Sequence, residues 1–133
     1  MISIVIRTLN EEQNLDRLLK ILKYQTVESE IIVVDSGSTD GTVDIAKKHG
    51  AIITTCIPFT YGKALNVGIL LAKYEYICCL SAHCFPATDN FLRVMLNNLK
   101  TPKVVAVYSK QLPTDDSNIL DRRNLFSIFR DEK

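Results

Sequence analysis

What the 133-residue chain lacks narrows its class before any motif is considered. There is no charge bias: 16 basic against 15 acidic residues leave no electrostatic stripe for a phosphate backbone or an anionic membrane surface to select. That argues against nucleic acid as a partner. No run approaches the ~20 apolar residues of a membrane span. Nor is there a disulfide framework, because Cys56, Cys78, Cys79 and Cys84 sit late and unevenly, and the neighbours Cys78 and Cys79 point to opposite faces if that stretch is a strand. The N-terminus has neither the basic start nor the small-residue cleavage site of a secretion signal. Repeats and low-complexity tracts are missing as well. One core is expected, in a reduced, cytoplasmic protein.

What is present is an alternation. Short apolar runs rich in β-branched residues at 2–6, 31–34, 51–56, 76–80 and 104–108 suit strands covered on both faces. Between them lie helical patterns. Leu15, Leu18, Leu19 and Leu22 recur at helical spacing, with Asn10 as N-cap and Gln13 completing a capping box, so a helix is expected over 11–24. A second is expected over 42–49, ended by Gly50 in a left-handed C-cap. A third covers 63–73. A fourth opens near Thr88 and Asp89, carries Phe91, Leu92, Met95, Leu96 and Leu99 on one face, and stops before Pro102. Strands alternating with helices imply a mainly parallel, doubly wound α/β sheet, with ligands bound beyond the carboxyl ends of the strands.

Three polar loops stand at those ends: Thr8-Leu9-Asn10-Glu11-Glu12, Asp35-Ser36-Gly37-Ser38-Thr39-Asp40-Gly41-Thr42 and Ser81-Ala82-His83-Cys84-Phe85-Pro86. Taken singly, each has a plain explanation: Asn10 caps a helix, Gly37 permits a turn, Asp40 starts the next helix. Asp35 is different. It caps no obvious helix and ends a buried strand, where a carboxylate without a hydrogen-bond partner is costly. A ligand is expected to supply the partner, since the carboxylate can accept from a uracil or thymine ring N–H or from ribose hydroxyls.

Ser3-Ile4-Val5-Ile6-Arg7-Thr8-Leu9-Asn10-Glu11-Glu12 and Ile32-Val33-Val34-Asp35-Ser36-Gly37-Ser38-Thr39-Asp40-Gly41-Thr42 resemble the opening of family 2 glycosyltransferases. Gly62-Lys63-Ala64-Leu65-Asn66-Val67-Gly68 resembles that family's segment beneath the donor diphosphate, and Tyr74-Glu75-Tyr76-Ile77-Cys78-Cys79-Leu80 resembles its fourth strand. The likeness runs from Ile2 to about Pro113, and the second loop is its most specific part. It implies a GT-A fold, Rossmann-like with helices on both faces of the sheet. It also implies a UDP- or dTDP-linked sugar donor, a glycan or polysaccharide acceptor, and transfer with inversion. Carried over by position, Thr8, Asn10 and Glu12 meet the nucleoside, Asp35 meets the base with Ser36 and Ser38 beside it, and Ser81 and Ala82 face the donor. Lys63 lies near the diphosphate, or is a solvated lysine at a helix start. The segment lacks the Gly-x-x-x-x-Gly-Lys-Ser/Thr pattern of a phosphate cradle, which disfavours a nucleoside triphosphatase.

Members of the family usually carry Asp-x-Asp after the fourth strand, where hard carboxylate oxygens hold a divalent ion against the leaving diphosphate. Here those positions read Ser81-Ala82-His83. The exchange weakens magnesium binding more than manganese binding, since manganese tolerates a nitrogen ligand. A divalent cofactor, manganese or magnesium, is therefore an open expectation with His83 as its candidate ligand. The alternatives for His83 are a direct hydrogen bond to the diphosphate and a purely structural bond. Zinc held by Cys78, Cys79, His83 and Cys84 is disfavoured by strand alternation and by the adjacency of His83 and Cys84.

An inverting transfer also needs a general base. The resemblance puts that carboxylate later in the chain, after an acceptor-binding segment; Asp115, Asp116 and Asp121 fall instead in a polar stretch that reads as a surface connection. The expectation is one GT-A domain over 1–133 that holds the donor and stops ahead of the acceptor and general-base region. A nucleotide-binding domain without turnover is the alternative. Apolar Leu125, Phe126, Ile128 and Phe129 leave a homo-oligomer open, and the full-length enzyme leaves peripheral membrane association open.

Overall fold

The computed structural model describes residues 1–113; Asp115, Asp116, Asp121 and the apolar positions at 125–129 lie outside the described residues. The elements are β1 (Ile2–Thr8), α1 (Glu12–Lys23), β2 (Ser29–Asp35), α2 (Thr42–Lys48), β3 (Ile52–Thr55), α3 (Tyr61–Ile69), β4 (Ile77–Ser81) and α4 (Phe91–Leu99). The strands form one sheet in the order β3-β2-β1-β4, and every pair is parallel. After β3 the chain crosses back to pair β4 with the other side of β1. The order reverses at β1, and the crevice of such a sheet opens beyond the strand ends at that switch point.

Strand β1 is central, which is why Ile2, Ile4, Val5 and Ile6 are all at most 3% exposed. Alternation sends them to two layers. Ile4 and Ile6 pack with Leu15, Leu18, Leu19 and Leu22 of α1, Ala46 of α2, and Leu92 and Leu96 of α4. Val5 packs with Ile32, Val34, Cys56 and Ala64 of α3. Helices thus cover both faces, as expected. Helix α3 lies so close that a Cβ added to Gly68 would come within 2.3 Å of Val5 Cγ1 and 2.9 Å of Val34 Cγ2. Cys78 packs toward the α1 side whereas Cys79 is exposed, the divergence expected of neighbours on a strand.

Helix ends depart from expectation. Glu11, not Asn10, is the N-cap of α1, and no side chain of its own segment closes it. Helix α3 begins at Tyr61, earlier than expected, because Thr60 is the N-cap and its hydroxyl accepts from Lys63 N at 3.2 Å. The Gly50 cap forms as expected: φ is 74°, Gly50 N donates to Lys47 O at 2.9 Å, and Ala51 N donates to Ala46 O at 3.1 Å. Those two bonds are the paired closure of a Schellman ending.

The chain groups into two compact units, Met1–Leu96 and Asn97–Lys133. In the described part of the second, Thr101 N donates to Asn98 O and Val104 N donates to Thr101 O. The strand expected at 104–108 is absent among the described residues. β-Branched composition favours a pleated surface but does not make a strand without a paired neighbour, and Val105 is 93% exposed. No helix among the described residues is long and apolar enough to cross a membrane.

Candidate functional site

The three strand-end loops are tied to one another. Asp35, 5% exposed at the end of β2, accepts Gly37 N at 2.9 Å and Ser38 N at 3.0 Å on Oδ2, and the Ser38 hydroxyl on Oδ1. The carboxylate is therefore satisfied by its own loop, where a ligand had been expected. Gly37, at φ 98°, allows the turn that aims those amides inward. Ser38 Oγ in turn accepts Asn10 N at 2.8 Å, and Asn10 Oδ1 accepts Thr39 N at 2.8 Å. Asn10 adopts a left-handed backbone, φ 53°, which suits asparagine better than most residues. It is a bridge between loops and not a helix cap.

The next two residues extend the clasp. Glu12 N donates to Asp40 Oδ2 at 3.2 Å, while Glu12 Oε2 accepts Gly41 N at 3.1 Å. Two helix starts thereby exchange caps across 28 residues of sequence. The approach is close enough that a Cβ on Gly41 would sit 2.7 Å from Glu12 Cδ. Asp40 Oδ1 also accepts Thr42 N at 3.0 Å and the Thr42 hydroxyl. The Thr42 hydroxyl, foremost, holds the Asp40 carboxyl below the usual range despite some opposing desolvation.

Glu11 joins the third loop. Its N–H donates to Thr42 Oγ1 at 2.9 Å, Oε2 accepts Asn14 Nδ2 at 2.7 Å, and Oε1 meets His83 Nδ1 at 2.8 Å. Desolvation pushes the Glu11 carboxyl up, but the bonds from Asn14 and His83 outweigh it and hold the group below its ordinary value. His83 stands in the turn after β4, where Ala82 N donates to Arg7 O at 3.2 Å and Cys84 N to Ser81 O at 2.9 Å. The Ala82 side chain lies in the core against the α1 layer.

An open cleft of about 180 Å³ lies at the switch point. Thr8, Ser36, Ser81 and His83 line it, together with Arg7, Leu9, Glu11, Phe59 and Tyr61. Thr8 Oγ1 and Ser36 Oγ are buried without any hydrogen-bond partner. Such orphan hydroxyls are exceptions in folded proteins and call for a partner. A larger hollow of about 270 Å³ is lined by Gln13 and Asn14 with Asn10, Glu11, Glu12 and Asp40. Its three carboxylates would repel a diphosphate, so the smaller cleft is the better candidate.

Of the residues expected at the site, Thr8, Ser36, Ser81 and His83 meet in the cleft, while Asn10, Glu12, Asp35 and Ser38 form the clasp that shapes it. Lys63 is not among the lining residues; its ammonium faces the carbonyls of Ile57 and Pro58, each at 3.4 Å. Arg7, Glu11, Phe59 and Tyr61 also line the cleft, although the sequence assigned them no role at the site. Arg7 had a signal, because it ends a buried strand beside Thr8. Phe59, in the β3–α3 connection, and Tyr61, which opens α3, had none, since the segment after β3 is largely apolar where the other strand ends are polar.

A divalent ion finds little to hold it. With Nδ1 turned to Glu11, His83 offers only Nε2, and no group of three His, Cys, Asp or Glu side chains is gathered among the described residues. That donor set does not fit a protein-built metal site. The four cysteines are free, and burial pushes the Cys78 thiol up to about 12, which suits an inert core residue.

The family pattern described as Glycosyl transferase family 2 matches residues 3–132. Poly-beta-1,6-N-acetyl-D-glucosamine synthase of Staphylococcus epidermidis is 32% identical over 127 residues, covering 91% of this chain and 31% of that protein. The Staphylococcus aureus counterpart is 29% identical over the same length. Among solved structures, S. aureus TarS 1–349 superposes with TM-score 0.66 at 23% identity, over 74% of this chain and 32% of its own. The mannosyltransferase PcManGT of Pyrobaculum calidifontis, solved with GDP-Man and Mn2+, gives TM-score 0.66 at 24% identity over 76% and 32%. Glucosyl-3-phosphoglycerate synthase of Mycobacterium tuberculosis, solved with Mn2+, UDP and glucosyl-3-phosphoglycerate, gives TM-score 0.64 at 24% identity over 77% and 40%. The shared fold is GT-A. The chain spans about a third of the length of the curated relatives it matches.

Proposed function

This chain belongs to glycosyl transferase family 2, and on that premise we infer that it is the donor-holding portion of a sugar transferase. Its cleft takes a nucleotide-diphosphate sugar, UDP- or dTDP-linked, whose sugar passes to a glycan acceptor with inversion. The observation that carries this reading is the pair of orphan hydroxyls. Thr8 Oγ1 and Ser36 Oγ are buried where β1 and β2 end, in a cleft that other loops hold open. A nucleoside supplies the hydroxyls and ring N–H groups they lack.

In such a transfer the acceptor hydroxyl attacks the anomeric carbon, its proton goes to a base, and the bond from that carbon to the diphosphate oxygen breaks. The strand-end loops hold and orient the leaving nucleoside diphosphate. Glu11 is the carboxylate that lines the cleft, and both of its oxygens are engaged, by Asn14 and His83. It is a poor base there. That engagement favours a second reading, in which the chain binds the donor and does not turn it over.

UDP-GlcNAc tests both, because TarS was solved with that donor and the S. epidermidis relative is named for an N-acetylglucosamine polymer. Binding with UDP release upholds transferase chemistry; binding without release moves the assignment to the second reading. A chain that neither binds UDP-GlcNAc or UDP nor releases UDP overturns both.

A further inference from the structure

The cleft is lined by a cation, Arg7, and by one carboxylate, Glu11, which is engaged by Asn14 and His83. Arg7 lies in register with Ser81 of β4 and Val34 of β2. Alternation puts it on the Val5 face, which α3 covers. Tyr61, the first residue of α3, lies under the guanidinium, whose carbon is 4.5 Å from the ring centroid. Phe59 meets Tyr61 edge-on, with centroids 5.0 Å apart and planes at 73°. No ion pair among the described residues includes Arg7.

A guanidinium held over an aromatic ring is restricted in where it can point while its N–H groups remain available to a ligand. The guanidinium edge matches two phosphate oxygens in one plane, a fit that a lysine ammonium does not make. Lys63, the cation that the sequence places near the diphosphate, has its ammonium beside two backbone carbonyls. The divalent ion that would neutralise a diphosphate has no ligand set among the described residues. Arg7 is the positive side chain that lines the cleft.

We propose that Arg7, braced on Tyr61, binds the diphosphate of the nucleotide and neutralises it, so that the donor is held without a divalent ion. The inference rests on the reading that this cleft takes a nucleotide. It adds what that reading lacks, a reason for the Phe59–Tyr61 pair to stand beside a polar cleft: the pair fixes the direction of the guanidinium.

Titrations of the full 133-residue chain with uridine and UDP in EDTA, and with UDP in manganese, separate the two layers. The wild-type chain in EDTA is expected to bind UDP about tenfold to hundredfold more tightly than uridine, the effect of one good charge-assisted contact. Manganese leaves that ratio unchanged. Arg7→Gln brings UDP down to the affinity of uridine without altering uridine binding. Tyr61→Leu, which keeps the charge and frees its direction, loses part of the increment and carries the test if Arg7→Gln does not fold. UDP binding that needs manganese overturns the proposal, as does an Arg7→Gln chain that keeps the increment or loses uridine and UDP alike. Uridine binding without a UDP increment overturns it while leaving the nucleotide reading intact. A chain that binds neither compound overturns both.

Discussion

Asp35 receives three hydrogen bonds from Gly37 and Ser38, so its first effect is to shape the turn, and contact with a base uses the acceptor capacity that remains. Asp35→Ala is expected to leave two loop amides unpaired, to cost about 1–3 kcal/mol in a denaturant melt, and to abolish UDP binding by calorimetry; full binding by the variant would place the nucleoside elsewhere. Asn10 acts between loops. Asn10→Gly preserves the left-handed backbone and deletes the Thr39 contact, a loss of about 1 kcal/mol. Asn10→Ala adds the strain of φ 53° and should be worse. Asp40 sets an acid limit. Its folded carboxyl lies below 3.8 through the Thr42 hydroxyl first, so the stability it contributes is present above that value and lost as pH falls through the lower folded one. Melting of wild type and Asp40→Asn from pH 6 to 2 should converge at the acid end. Asp35 was legible in the sequence as an exceptional residue, yet for an incomplete reason: local turn chemistry met the demand that was assigned to a ligand.

At the scale of elements, periodicity read well and ends did not. The Leu15, Leu18, Leu19 and Leu22 stripe is buried as expected, because it depends on spacing alone. Caps depend on what another loop brings. Helix α1 is capped by Asp40 and Thr42, and α4 by the Gln25 side chain, which accepts Leu92 N at 3.1 Å. These partners are remote in sequence, so a capping box sought within one segment could not find them. Helix α3 is capped from within, by Thr60, a hydroxyl residue suited to that place, although the apolar spacing put the helix start at Lys63. Its packing makes a separate prediction. Gly68→Ala forces a methyl against Val5 and Val34, costing about 1–3 kcal/mol by overpacking. If α3 tilts in response, Tyr61 moves and UDP affinity falls with stability, whereas an unchanged affinity would mean that the helix start is fixed independently.

For the molecule as a whole, the reversal of strand order at β1 selects where chemistry can occur. It brings the ends of β1, β2 and β4 together, and three loops with no local reason to meet are joined through Asn10, Glu11 and Glu12. Alternation of strands and helices made that end of the sheet predictable. The identity of the cleft's walls was not, because Phe59 and Tyr61 arrive from a connection that pattern alone left blank. The measurement that tests the account most directly is a UDP titration of the isotopically labelled chain, followed by amide shifts. Perturbations are expected to gather at residues 7–9, 36–38, 59–61 and 81–83. Shifts gathered instead at Gln13 and Asn14, around the acidic hollow, or no shifts at all, would contradict the account.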